Sequence, residues 1–143
     1  MNKKAILVIS FGTSHEDTLK KTILKIEDKF KKVYEGYDFL KSKDWDFIVK
    51  LDGDLSLGED YFEQLFKEFS KDEKLGIASG IYLENKKNSW VPVSMPEYHA
   101  AGATKVVRAK CFKQIGGFVR SRGWDTIDEI RAQKIGRASC RER

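Results

Sequence analysis

Two carboxylates stand one residue apart at the end of the run Trp45-Asp46-Phe47-Ile48-Val49-Lys50-Leu51-Asp52-Gly53-Asp54. The apolar stretch before them reads as a strand. On an extended backbone, side chains at i and i+2 point the same way, so Asp52 and Asp54 would meet one ligand from the strand's end. Carboxylate oxygens in that arrangement suit a hard divalent cation, Mg2+ or Mn2+. A cation there would neutralise the charge that builds on a departing diphosphate. A plain surface turn after a strand can have the same spelling, so the pair needs a context before it means a metal site.

The elements that would position this pair can be read from apolar periodicity. Residues 5–9 form a continuous apolar run suited to a strand covered on both faces. A turn over 10–14 leads to a helix that Ser14 can cap, with Asp17 three residues on. Leu19, Ile23, Ile26, Phe30 and Val33 then make one apolar stripe. Further strands are expected over 47–51 and 75–80, the latter continued by 81–83, with a helix over 59–69 between them. A polar turn over 85–89 precedes an edge strand at 90–93, where Pro92 cannot donate to a ladder. A strand over 104–108 runs into a short helix, 109–115, ended by Gly116-Gly117. A last helix is expected over 125–133. Residues 134–143 show neither apolar periodicity nor a capped helix, and are expected to be disordered.

The chain has 143 residues, 41% hydrophobic and 34% charged, the composition of a soluble globular protein with length enough for a core. No apolar run approaches the roughly 20 residues that span a membrane. The basic start Met1-Asn2-Lys3-Lys4 precedes a strand and no small-residue cleavage site follows, so it does not read as a signal peptide. Cys111 and Cys140 have no metal or redox spacing, which fits reduced thiols in a cytoplasmic protein. Of the net charge of +5, residues 134–143 carry +3, from four basic side chains and one acidic one. The remaining +2 is too mild to argue for nucleic acid.

Two resemblances give these elements a context. Lys4-Ala5-Ile6-Leu7-Val8-Ile9-Ser10-Phe11-Gly12-Thr13-Ser14, with Glu16-Asp17-Thr18 and Lys21-Thr22-Ile23, resembles the start of the anaerobic-type cobalt chelatases that act on sirohydrochlorin. The likeness is expected to cover residues 1–39. That family's metal-binding histidines come later, in segments without a counterpart here, and His15 matches no catalytic position. It reads as a solvated surface histidine.

From about residue 40 to 133 the chain is similar to family 2 glycosyltransferases. The likeness is carried in order by the Asp52/Asp54 strand, Tyr61-Phe62-Glu63, Leu75-Gly76-Ile77-Ala78-Ser79-Gly80, His99-Ala100-Ala101-Gly102-Ala103-Thr104-Lys105, Arg108, Cys111-Phe112, Ile115-Gly116-Gly117 and Gly123-Trp124-Asp125-Thr126-Ile127-Asp128-Glu129. It implies an α/β fold of the GT-A type, a partial, mostly parallel sheet with flanking helices and a nucleotide-sugar site at the strand ends. It further implies Mg2+ or Mn2+ on Asp52 and Asp54, with Asp54 the more direct ligand. Asp125 would be the base that takes the proton of an acceptor hydroxyl, with Asp128 in reserve. Trp124 stands where the family commonly has the Glu of a Glu-Asp pair, and Asp125 also suits a helix cap. His99, Gly102, Thr104, Lys105 and Trp124 would line the nucleotide-sugar and acceptor side, His99 being equally suited to a structural role. Lys105 and Arg108 could meet phosphate oxygens or form a solvated basic pair. Trp124 could stack on a sugar or sit in the core.

The glycosyltransferase family's first half, which supplies the nucleotide-base pocket, has no counterpart. Residues 134–143 resemble the in-frame translation of a sequencing-adapter oligonucleotide. The pieces together point to a chain joined from two parents. Three functions stay open: glycosyl transfer to an acceptor hydroxyl, incomplete in this chain; a chelatase fragment; or a non-catalytic chimeric polypeptide.

Overall fold

A computed structural model describes residues 5–10, 35–53, 55–119, 121 and 123–142, with 5–10, 124 and 138–142 described by backbone alone. Ser14, His15, the helix expected over 14–33 and Asp54 lie outside the described residues. The elements in chain order are β1 (Ala5–Ser10), β2 (Phe47–Asp52), α1 (Tyr61–Lys71), β3 (Leu75–Gly80), β4 (Leu83–Lys86), β5 (Ser89–Pro92), a 3-10 turn (Gly102–Thr104), β6 (Val106–Arg108), α2 (Ala109–Gln114), α3 (Trp124–Lys134) and β7 (Ala138–Glu142). Residues 35–40 are also helical.

Five strands form one sheet in the order β1-β2-β6-β3-β7. Its core strands are apolar on both faces because helices cover both. The pleat divides β2 residue by residue. Phe47 and Val49 join Leu65, Phe69, Leu75, Ala78 and Val106 under α1. Ile48 points the other way, into a cluster with Trp45, Ile77, Val107, Cys111 and Phe112. Phe112 is the hub of that second layer, with ring centroids 5.0 Å from Tyr37, 5.7 Å from Trp45 and 4.8 Å from Phe118, all edge-to-face.

The mixed α/β class agrees with the sequence; a mostly parallel sheet does not. β1 pairs with β2 and β3 with β7 in parallel. β6 is antiparallel to both β2 and β3. The chain leaves β3 at Gly80, makes an excursion and re-enters from the same end, so β6 must run back between its neighbours. The excursion includes the antiparallel β4–β5 hairpin, a separate two-stranded sheet. Ile81 and Tyr82 therefore do not prolong β3. Lys87 and Asn88, at φ 51° and 65°, make a two-residue turn of the kind whose twist matches a hairpin.

Helices α2 and α3 stop in the same way. Gly116 at φ 81° lets the Gly117 N–H reach Phe112 O (2.9 Å), and Gly136 at φ 73° lets the Arg137 N–H reach Ala132 O (2.8 Å). Beyond the second stop lies another difference from the sequence. The expected disordered tail contains strand β7, which lies along β3. Backbone pairing needs no apolar pattern, and Arg137 steers the chain there by donating from Nη1 to Glu73 O (2.7 Å) and from Nε to Gln114 Oε1 (3.1 Å).

Cys111 is buried beneath β3, where Gly76 makes room for it: a Cβ at residue 76 would lie 2.6 Å from Sγ. Burial pushes the thiol up to about 11. In a Cys140→Ser background, Cys111 is expected to resist alkylation in the folded chain at mildly alkaline pH and to react at once in denaturant. Equal rates in the two states would place the thiol outside the core.

Candidate functional site

Strand β2 delivers Asp52 to the rim of the sheet, where its Oδ1 takes a 2.5 Å ion pair from Lys50 Nζ. Lys50 is itself buried, and it reaches Asp52 because i and i+2 share a face. The next strand over is reached through a backbone bond: Lys50 N–H donates to Lys105 O (2.9 Å). The 3-10 turn Gly102–Thr104 consequently packs beside β2. Tyr61 fastens this corner by donating from its hydroxyl to Thr104 O (3.2 Å) and accepting from Gly80 N–H (2.9 Å). Burial holds the Tyr61 phenol above its ordinary range, so it stays neutral.

A cavity of about 540 Å³ opens at this corner. Its walls come from the 55–58 loop, Tyr61, the start of the hairpin with Tyr82 and Leu83, Trp90 and Thr104. Among the described residues, no charged side chain lines it. The Thr104 hydroxyl oxygen is buried without a hydrogen-bond partner.

On the other side of the 3-10 turn stands α3. Asp125 lies in its first turn, half-buried, and a Cβ at Gly102 would come within 2.9 Å of Asp125 Oδ2. Glycine thus lets the carboxylate lie against the turn's backbone. Beneath it is a closed set of charges. Lys105, 0% exposed, places Nζ 3.0 Å from Asp128 Oδ1 and 2.9 Å from Glu129 Oε1, and donates to the backbone oxygen of Asp125. Glu129 Oε2 meets His99 Nδ1 at 2.8 Å, and its Oε1 accepts from Ala100 N–H at 3.2 Å. Burial pushes Asp128 above the usual carboxylate range, with Lys105 acting against the shift.

The structure therefore sorts the expected site residues. Asp125 lies against Gly102 in the Gly102–Thr104 turn, and that turn packs beside β2, the strand that ends in Asp52. Lys105 is enclosed, with its ammonium on carboxylates of its own chain, so it does not reach phosphate oxygens. Asp128 is equally enclosed and faces Lys105 rather than the cavity. His99 is partly exposed and held by Glu129. Arg108 clamps α1 to β3, donating to Leu75 O, Phe69 O and Asp72 O while its guanidinium lies over the Phe47 and Phe69 rings. Trp124 begins α3; its side chain and Asp54 lie outside the described residues. Tyr61 and Lys50 were missed as site-forming residues. A lysine within an apolar strand, two residues before an aspartate, was the available signal for the second.

The donor set suits a hard cation in kind. Mg2+ and Mn2+ sites use one or two carboxylates completed by water and substrate phosphate, and Asp52 is a partly exposed carboxylate at a strand end, ion-paired to Lys50. Among the described residues no group of three or more His, Cys, Asp or Glu side chains is placed to hold a metal ion without such help. Nor is any helix among them long and apolar enough to cross a membrane.

A family model described as cobalt chelatase (CbiK) matches residues 4–52. No curated protein matches the chain. The match runs past residue 39, where the chelatase likeness was expected to end, and takes in the whole parallel β1–β2 pair up to Asp52. Asp52 thus belongs both to the chelatase-like stretch and to the strand that packs beside the Gly102–Thr104 turn.

Proposed function

We propose that residues 47–133 carry a site for metal-assisted transfer of a sugar from a nucleotide-sugar donor to an acceptor hydroxyl. What supports this reading is that β2, which ends in Asp52, packs beside the Gly102–Thr104 turn, that Asp125 lies against Gly102 of the same turn, and that Thr104 of the turn lines a cavity of about 540 Å³. Asp52, with Asp54, would hold Mg2+ or Mn2+ on the donor diphosphate. The cation there supplies charge stabilisation for the leaving nucleoside diphosphate. Asp125, from the first turn of α3, takes the proton of the acceptor hydroxyl as that oxygen bonds to the anomeric carbon and the bond to the diphosphate breaks. Lys105 holds the backbone of Asp125 in place. His99 and Thr104 shape the acceptor side. In this reading the GT-A likeness rests on the order of motifs, with β6 as an antiparallel insertion in the sheet.

The test is Mn2+-dependent binding of UDP to the full chain, which Asp54→Ala is expected to abolish. Binding that survives the substitution would remove the metal assignment. A second reading, a sirohydrochlorin cobalt chelatase fragment, has more support from similarity to known proteins than the first, since the family match, over residues 4–52, is to a chelatase and not to a glycosyltransferase. It requires Co2+ insertion into sirohydrochlorin, followed by the change in visible absorbance.

A further inference from the structure

We propose that the cavity under the β4–β5 hairpin binds a neutral sugar ring, stacked against Trp90 and hydrogen-bonded by Thr104. Three features on its walls narrow the ligand. The first is aromatic surface. Trp90 lines the cavity yet is 66% exposed, and Leu83 beside it on the hairpin is 48% exposed. With Tyr61 and Tyr82 they present flat apolar faces toward a space of about 540 Å³, within the roughly 300–1,000 Å³ usual for small-ligand sites.

The second feature is a hydroxyl in need of a partner. Thr104 lines the same space and its Oγ1 is buried and unpartnered, a costly condition for a polar group. Rotation about χ1 exchanges the Thr104 hydroxyl and methyl, so a ligand hydroxyl can be met there. Tyr61 is less suited to this part, because its hydroxyl proton is already given to Thr104 O and its oxygen already accepts from Gly80 N–H. The third feature is electrical: among the described residues the lining holds no ionised side chain. A phosphate, carboxylate or ammonium would leave water for a wall whose described side chains offer no countercharge. A purely apolar chain would leave Thr104 Oγ1 unsatisfied. A pyranose ring offers an apolar C–H face for the aromatics, a rim of hydroxyls for Thr104 and Ser56, and no charge.

Binding of the ring stands on these walls alone. Its role as the glycosyl acceptor rests on the function proposed above, since Thr104 ends the turn against which Asp125 packs.

Saturation-transfer NMR of the full chain with cellobiose and with lactose, without nucleotide or metal, tests the binding. At least one disaccharide is expected to bind. Trp90→Ala is expected to weaken it about tenfold, and Thr104→Val severalfold, with circular dichroism and melting unchanged. No binding of either sugar, or equal binding in Trp90→Ala, would overturn the proposal. So would 1-octanol displacing the sugar with an affinity that Thr104→Val leaves unaltered. Because nucleotide and metal are left out, loss of the donor site and loss of this site are separately visible.

Discussion

Lys105→Met is expected to lower the unfolding free energy by about 3–5 kcal/mol, the cost of removing one partner from a buried ion pair. The ammonium is fully enclosed and lies within 3.0 Å of carboxylate oxygens from both Asp128 and Glu129. Methionine fills much the same volume, so the loss is electrical rather than steric. Without the ammonium, two adjacent buried carboxylates keep His99 and backbone N–H groups as neighbours.

The deficit has a definite pH dependence. Burial already raises Asp128 above its ordinary value in the fold, so the folded state binds that proton more tightly than the unfolded one. Removing Lys105 widens the difference. Stability of the variant then falls as pH rises through the carboxylate range and levels off above the raised value. Urea unfolding at about pH 5 and about pH 7.5 should show a smaller gap from wild type at the lower pH. A gap of equal size at both would mean that the carboxylates are not what Lys105 stabilises.

Phe112→Ala is expected to cost about 3–5 kcal/mol, the range for truncating a buried phenylalanine. The ring is buried at the hub of three edge-to-face contacts, with Tyr37, Trp45 and Phe118. Its loss leaves a cavity that those rings, each fixed to a different segment, cannot close together. Phe39 serves as the control: at 68% exposure, Phe39→Ala should change stability by no more than about 0.5 kcal/mol. Urea midpoints at unchanged slope measure both. Comparable losses in the two variants would mean that the aromatic layer under α2 is not the core.

The parts of this fold that were legible in sequence are those where a local pattern has one physical solution. The apolar runs at 47–51 and 75–80 read as strands, being short and rich in apolar side chains, and Gly116-Gly117 could end α2 because the first glycine takes a positive φ. The direction of β6 was not legible, since Val106-Val107-Arg108 reads alike in either sense. It follows from where the hairpin excursion returns the chain. Strand β7 has no apolar alternation and exists through its pairing with β3. Polar residues divided in the same way. Asp52 is placed by its own strand, so its position was readable. In sequence, Lys105 stays open between phosphate contact and a solvated basic pair because its partners, Asp128 and Glu129, lie more than twenty residues on, and nothing local pairs them with it. The cavity depends on how the hairpin folds back over Tyr61 and Thr104, a relation that no single segment encodes.

Calorimetric titration of UDP into the full chain, with and without Mn2+, addresses the proposed function most directly. Binding that appears with Mn2+ and is absent without it is the expected result. No heat of binding in the presence of Mn2+, from a chain that unfolds cooperatively and is therefore folded, would contradict the metal-assisted donor site at Asp52 and Asp54.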